Sequence, residues 1–226
     1  MARARATLNV DRVSTASRPD AVAQQLRAAI ARGEIAEGDQ LVEPDLVASF
    51  GVSRPTVREA LQRLVQEGLL TAIPHRGVFV TTISPDDLVD IYNARSAIET
   101  SAALHLVNAP DRDAVLDELR AEHGKMTRAV RDDDPVALTN ADMRFHEVFV
   151  GVLNSRRLHR VTETLLVETR MCIARLEGNY AMPQEAVDEH LDIVHAIESG
   201  DSTAVIKAVN DHMTGALELL NRLNQG

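Results

Sequence analysis

Apolar residues follow two regimes along this 226-residue chain: their period changes several times before Thr82, then holds at three to four to the end. In the first regime Val22, Leu26, Ala29 and Ile30 recur at helical spacing after Pro19, and Gly33 stops them. GEIAEGDQL reads as a turn and a short extended piece. Leu46, Val47 and Phe50 mark the inward face of a second helix running from about Glu43, with Gly51 just beyond its end. Ser53 then caps a third helix that buries Val57, Leu61 and Leu64 and stops at Gly68. LLTAI and VFVTT are β-prone runs around the turn PHRG, a hairpin signal. Helix, helix, turn, helix, hairpin is the order of a winged helix-turn-helix. Residues 1–17 carry no apolar period and read as a flexible basic arm.

The second regime opens with ISPDDL, where Ser84 supplies an N-cap, Pro85 the first helical position and two carboxylates the first turn. Six helical segments are predicted from there: 85–107, 111–131, 135–152, 155–178, 184–199 and 202–223. The breaks NAPD, DDDP, LNS, GNYAMP and SGD each carry Pro, Gly, Asn or Asp. No further strand is expected. The predicted architecture is mainly α: an arm over 1–17, a winged helix-turn-helix over 18–82 with three helices and a β-hairpin wing, and an all-α bundle of about six helices over 83–226.

Charge sharpens that division. The net charge is −10, yet residues 1–82 hold ten arginines against nine acidic residues, while residues 83–226 hold 14 basic against 25 acidic. An acidic total therefore does not exclude a nucleic-acid partner for the first part. No apolar run approaches the ~18 residues of a membrane span, and MARARATLNVDR lacks a secretory apolar region. The lone Cys172 can form no internal disulfide, which fits a reducing compartment and a small buried hydrophobe. A cytoplasmic location without a membrane is expected.

The stretch GVSRPTVREALQRLVQEGLL carries the first candidate chemistry. Arg54 and Arg58 stand four residues apart, on one face of the third helix and opposite its apolar stripe. In a helix-turn-helix that face meets the major groove, where arginine forks onto guanine O6 and N7. Ser53 and Thr56, near the helix N-terminus, suit phosphate oxygens. The wing turn His75-Arg76-Gly77 could lay Arg76 on the DNA backbone or in the adjacent minor groove. The plainer alternative for Arg58 is an ion pair with Glu59 or Glu43 on a solvated surface.

The segment VASFGVSRPTVREALQRLVQEGLL, followed by PHRGVFV, resembles the DNA-binding domain of the GntR family of bacterial transcription regulators. The helical remainder is similar to the FCD (FadR-like C-terminal) ligand-binding domain. The resemblance implies DNA contacts from Ser53, Arg54, Thr56, Arg58, His75 and Gly77, with Arg76 added on its charge. One departure is visible: many members place Thr-Pro after the Ser-Arg pair, whereas here the order is Pro55-Thr56. Proline is tolerated in a first helical turn, so the helix stands, but the hydroxyl-to-phosphate contact is left open.

The bundle carries a second constellation. Asp142 and His146 share a helix face at i, i+4, and His190 and His212 continue the apolar stripes of the last two helices. Imidazoles on buried faces need partners, and three of them with an aspartate satisfy one another through a divalent ion. Zinc is the first expectation; nickel or manganese would use the same ligands with open positions for water or an effector. D-x-x-x-F-H, E-H-x-x-I and the late His also resemble the FCD metal pattern, which falls on Asp142, His146, His190 and His212. His105, His123, His159 and His195 do not match it. No HExxH occurs, so a zinc-protease reading lacks its motif.

Arg95 and Glu99 form an i, i+4 pair that reads either as an intrahelical ion pair or, as the resemblance implies, as the arginine that holds an effector carboxylate. Asn154 resembles a recurring FCD asparagine and could contact ligand or cap the helix from Ser155. The expectation is a homodimeric regulator, a repressor in the commoner case, binding a palindromic operator under control of a small organic acid. It has no catalytic residues. The alternative is a metalloenzyme, a hydrolase or isomerase with an Asp/His site and an accessory N-terminal domain.

Overall fold

The computed structural model describes residues 18–174 and 184–223. The arm expected over 1–17 and the break GNYAMP lie outside the described residues.

Helix α1 (Arg18–Ala31) is followed in chain order by β1 (Gln40–Leu41), α2 (Glu43–Phe50), α3 (Arg54–Gln66), β2 (Leu70–Ile73) and β3 (Gly77–Val80). Gly51 takes the left-handed backbone, φ 62°, that ends α2 and turns the chain toward α3. Ser53 caps α3 by accepting from the Thr56 N–H at 3.4 Å, and Pro55 occupies the first turn without harm. Val22, Leu26 and Ile30 of α1 and Val57, Leu61 and Leu64 of α3 are buried together with Leu69, Leu70 and Val80. Leu46, Val47 and Phe50 of α2 are half-buried against that core.

The wing holds more than the expected hairpin. β2 and β3 pair antiparallel, Leu70 opposite Val80 and Ile73 opposite Gly77, and β1 adds on the other edge of β3, Gln40 opposite Phe79. The short extended piece read in the sequence is thus a third strand. Two residues leave no periodic signature, so only its pairing reveals it.

The remainder is helical: α4 (Pro85–Val107), α5 (Arg112–Arg131), α6 (Pro135–Gly151), α7 (Arg156–Ala174), α8 (Gln184–Ser199) and α9 (Ser202–Leu223). Ser84 and Asp87 form a complete capping box at the start of α4, and Asp134 caps α6 by accepting from Ala137 N–H at 2.9 Å. α6 sits deepest: Leu138, Ala141, Met143, Phe145, Val148, Phe149 and Val150 are all buried. Its polar Asp142 and His146 are therefore carried into the core with their neighbours, so they need partners there. α1 packs against α7, which joins the N-terminal unit to the bundle. Among the described residues no helix is long and apolar enough to cross a membrane.

Candidate functional site

Three imidazoles meet inside the bundle, His146 from α6, His190 from α8 and His212 from α9, with ligand nitrogens all within 4.8 Å of one another. None exceeds 4% exposure, so water does not solvate them. His146 Nε2 lies 3.4 Å from His212 Nε2, while Asp142 Oδ1 lies 3.0 Å from His190 Nε2 and 3.9 Å from His146 Nε2.

The far nitrogen of each ring fixes what the near one can do. His146 Nδ1 is 2.7 Å from Glu99 Oε2, His190 Nδ1 is 3.2 Å from the carbonyls of Ala186 and Val187, and His212 Nδ1 is 3.3 Å from Glu189 Oε2. All of these partners are acceptors, so each Nδ1 is the donor and, in the neutral ring, Nε2 presents its lone pair inward. In that tautomer three lone pairs and a carboxylate converge. His190 Nε2 is accordingly buried without a hydrogen-bond partner among the described residues. Acceptors so arranged repel unless a cation lies between them, and nitrogen and carboxylate donors with outer hydrogen-bond partners suit a divalent transition metal.

Protonation follows the same logic. Burial holds the His212 imidazole well below its ordinary range, with His190 and His146 adding to the effect. Burial also lowers His146, against the pull of Glu99. Burial would raise Asp142, yet His190, His146 and Arg95 outweigh it and keep the carboxyl below its usual value. Neutral His146 and His212 beside an anionic Asp142 are the metal-binding forms of these groups.

Arg95 is 2% exposed. It donates from Nε to Glu99 Oε1 at 3.0 Å and from Nη1 to Thr169 Oγ1 at 3.4 Å, and its guanidinium lies 5.1 Å from the Tyr92 ring centre. The ion pair with Glu99 is thus present, and Nη2 is buried without a partner among the described residues. Arg95, Tyr92, Asp142, His146, Glu189 and His212 line a cavity of about 20 Å³. That is roughly the room one water or one ion needs. Asn154 is not among its lining residues; it lies exposed between α6 and α7 with φ 46°, a left-handed conformation that asparagine tolerates. Of the remaining histidines, His105, His159 and His195 are exposed, and His123 is half-buried 3.8 Å from Asp188.

The other candidate residues lie on the surface of the N-terminal unit. Arg54 is exposed at the start of α3, and Arg58, with 63% of its side chain exposed, donates from Nε to both oxygens of Glu43 at 3.0 and 2.9 Å. The Ser53 and Thr56 hydroxyls are 2.8 Å apart and bond to each other. His75 (φ 62°), Arg76 and Gly77 (φ 115°) form the exposed wing tip. Gln40 Nε2 holds that tip by donating to the Arg76 carbonyl at 2.8 Å, and it stands 2.7 Å from where a Cβ on Gly77 would be, so glycine is needed there for space as well as conformation.

Of the two partners weighed for Arg58 in the sequence, Glu43 is the one it bonds; sequence reasoning missed Gln40, the bridge from Glu99 to His146, and Glu189. Glu189 had a signal, its place beside His190; Gly215 leaves room for its carboxylate, since a Cβ there would meet Oε1 at 2.9 Å.

Comparison with known proteins gives two matches, "Bacterial regulatory proteins, gntR family" over residues 19–80 and "FCD domain" over residues 90–215. An uncharacterized HTH-type transcriptional regulator of Agrobacterium vitis is 34% identical over 143 residues, 62% of this chain and 84% of that one. A probable D-xylose utilization operon transcriptional repressor of Paenarthrobacter nicotinovorans is 28% identical, covering 87% and 86%. The crystal structure of a GntR regulator from a Rhodococcus species superposes with a TM-score of 0.76 at 25% identity, over 91% of this chain and 98% of that one. The metalloenzyme alternative finds no support among these relatives.

Proposed function

We propose, from the premise that this chain belongs to the gntR family of bacterial regulatory proteins and carries an FCD domain, that it is a cytoplasmic homodimeric repressor released from a palindromic operator by a small carboxylate bound beside a divalent metal. The division into a DNA-binding unit over 18–82 and an effector and dimerisation unit over 83–226 is supported by the sheet ending at Val80 and by the separate capping box at Ser84. DNA contacts are assigned to Ser53, Arg54, Thr56, Arg58, His75, Arg76 and Gly77, all on the outer surface of the α3 and wing unit. Two such units related by two-fold symmetry would read half-sites about one helical turn apart.

The observation that carries the effector side is Arg95 Nη2, without a partner among the described residues, in the same cavity wall as Asp142, His146 and His212, with His190 beside them. Asp142, His146, His190 and His212 would hold the ion, zinc, nickel or manganese, and it would supply an electrophilic point for a carboxylate oxygen. Arg95 Nη2 supplies a charged hydrogen-bond donor to the same carboxylate, with the Tyr92 ring 5.1 Å from the guanidinium. Asn154 is retained as an outer contact that requires the α6–α7 turn to approach. A carboxylate exceeds the 20 Å³ of the cavity, so binding must move its wall at Ile173, Ala186 and Leu219. That differential fit is what lets a ligand shift the protein between arrangements.

The test is a mobility shift with DNA upstream of the chain's own gene. Binding that Arg54→Ala and Arg58→Ala weaken without loss of fold supports the regulator; no binding to that DNA together with metal-dependent turnover supports an enzyme.

A further inference from the structure

We infer that Glu43 is a specificity-determining residue that acts through Arg58, presenting the guanidinium end-on to the major groove and cancelling its charge away from a cognate base; this rests on the reading that α3 enters that groove. Both Glu43 oxygens bond the same nitrogen, Arg58 Nε, at 3.0 and 2.9 Å. The contact crosses from the first residue of α2 to the middle of α3, 15 positions apart. Its supports are rigid: Pro44 fixes the backbone beside Glu43, Gly51 sets the turn between the helices, and the Ser53 cap sets the start of α3.

An arginine can fork onto guanine side-on, through Nε and one Nη, or end-on, through both Nη. Glu43 occupies Nε, so only the end-on fork is left. Neither Nη1 nor Nη2 of Arg58 bonds a described residue, and 63% of the side chain is exposed, so that end is free to act. Exposed ion pairs add little to stability, and the fold gains little from this one. Its effect on a duplex is larger. A carboxylate beside the arginine reduces attraction to phosphate, which every sequence offers, and leaves the directed bonds to guanine. Glu43 thereby exchanges non-specific affinity for discrimination.

The experiment uses the full chain, a duplex it selects from a random pool, and a scrambled duplex of equal length and composition. Melting curves establish that the surface variants fold. Glu43→Gln is expected to tighten binding to the scrambled duplex, to steepen the dependence of log affinity on log salt by about 0.9, and to lower the selected-to-scrambled ratio about tenfold. In an Arg58→Ala background the same change is expected to alter neither quantity, because the effect runs through Arg58. An unchanged ratio and slope in Glu43→Gln overturns the inference, as does an equal fall in the ratio without Arg58, which would make Glu43 a base contact in its own right. Arg58→Ala that binds both duplexes as the parent does overturns it too, while DNA binding itself stands. A parent chain that selects no duplex removes both this inference and the regulator reading.

Discussion

Glu99 Oε2 lies 2.7 Å from His146 Nδ1, a contact between α4 and α6 in which each side chain is 1% exposed. Its other oxygen accepts from Arg95, so one carboxylate orients both the imidazole of a candidate metal ligand and the guanidinium beside it. Burial would raise Glu99, but His146 and Arg95 outweigh it and hold the carboxyl below its ordinary range. Glu99→Gln keeps the shape and removes the charge. It is expected to lower metal affinity about 10- to 100-fold, as outer-shell changes do. Chelator competition measures this; an affinity equal to the parent's would leave Glu99 with a purely structural part.

His212→Ala removes one of the three inward lone pairs. Elemental analysis of dialysed protein is expected to find about one divalent ion per parent chain and close to none in the variant. Equal content in the two proteins would place any ion elsewhere.

Arg54→Ala removes an exposed side chain, so the melting temperature is expected to hold while affinity for the selected duplex falls by about 1–3 kcal/mol. Fluorescence anisotropy measures the affinity. A fall shared equally by the scrambled duplex would make Arg54 a phosphate contact.

Glu168 on α7 faces the α3 terminus, its Oε1 3.9 Å from where a Cβ on Gly68 would stand. Burial, with Asp87 and Asp90 nearby on α4, raises its carboxyl from 4.5 to about 7. The folded state thus keeps this proton longer than the unfolded chain. The resulting stability is fully present below the unfolded value, declines as pH rises, and is gone above about 7. Glu168→Gln is expected to flatten the melting temperature between those limits and to raise it above the parent's at pH 8. Parallel pH profiles would show that Glu168 does not titrate in this range.

The helices were largely legible because each rule was local. Ser84 with Pro85, Asp134 with Pro135 and the Gly51 turn marked ends that the structure places within a residue or two. The inward faces of His146, His190 and His212 were legible for the same reason, since period alone decides which way a helical residue points. Pairings between elements were not. The bond from Glu99 to His146 spans 47 positions, and no local pattern encodes it; that from Arg58 to Glu43 spans 15, and the sequence left it as one of two alternatives. β1 was a fragment until Phe79 stood opposite Gln40. At Asn154 the residue was noticed, but its left-handed backbone gives it a turn-forming reason to be there that the sequence could not separate from ligand contact.

The proposed coupling between the buried histidine site and DNA binding is the central claim. It is tested most directly by the anisotropy of the selected duplex bound to metal-loaded chain, titrated with small mono-, di- and tricarboxylates, for the parent and for Arg95→Gln. At least one acid is expected to weaken DNA binding by the parent, while Arg95→Gln binds the duplex normally and does not respond. Acids that raise the melting temperature of the parent yet leave its DNA affinity unchanged, or that act equally on Arg95→Gln, would contradict it.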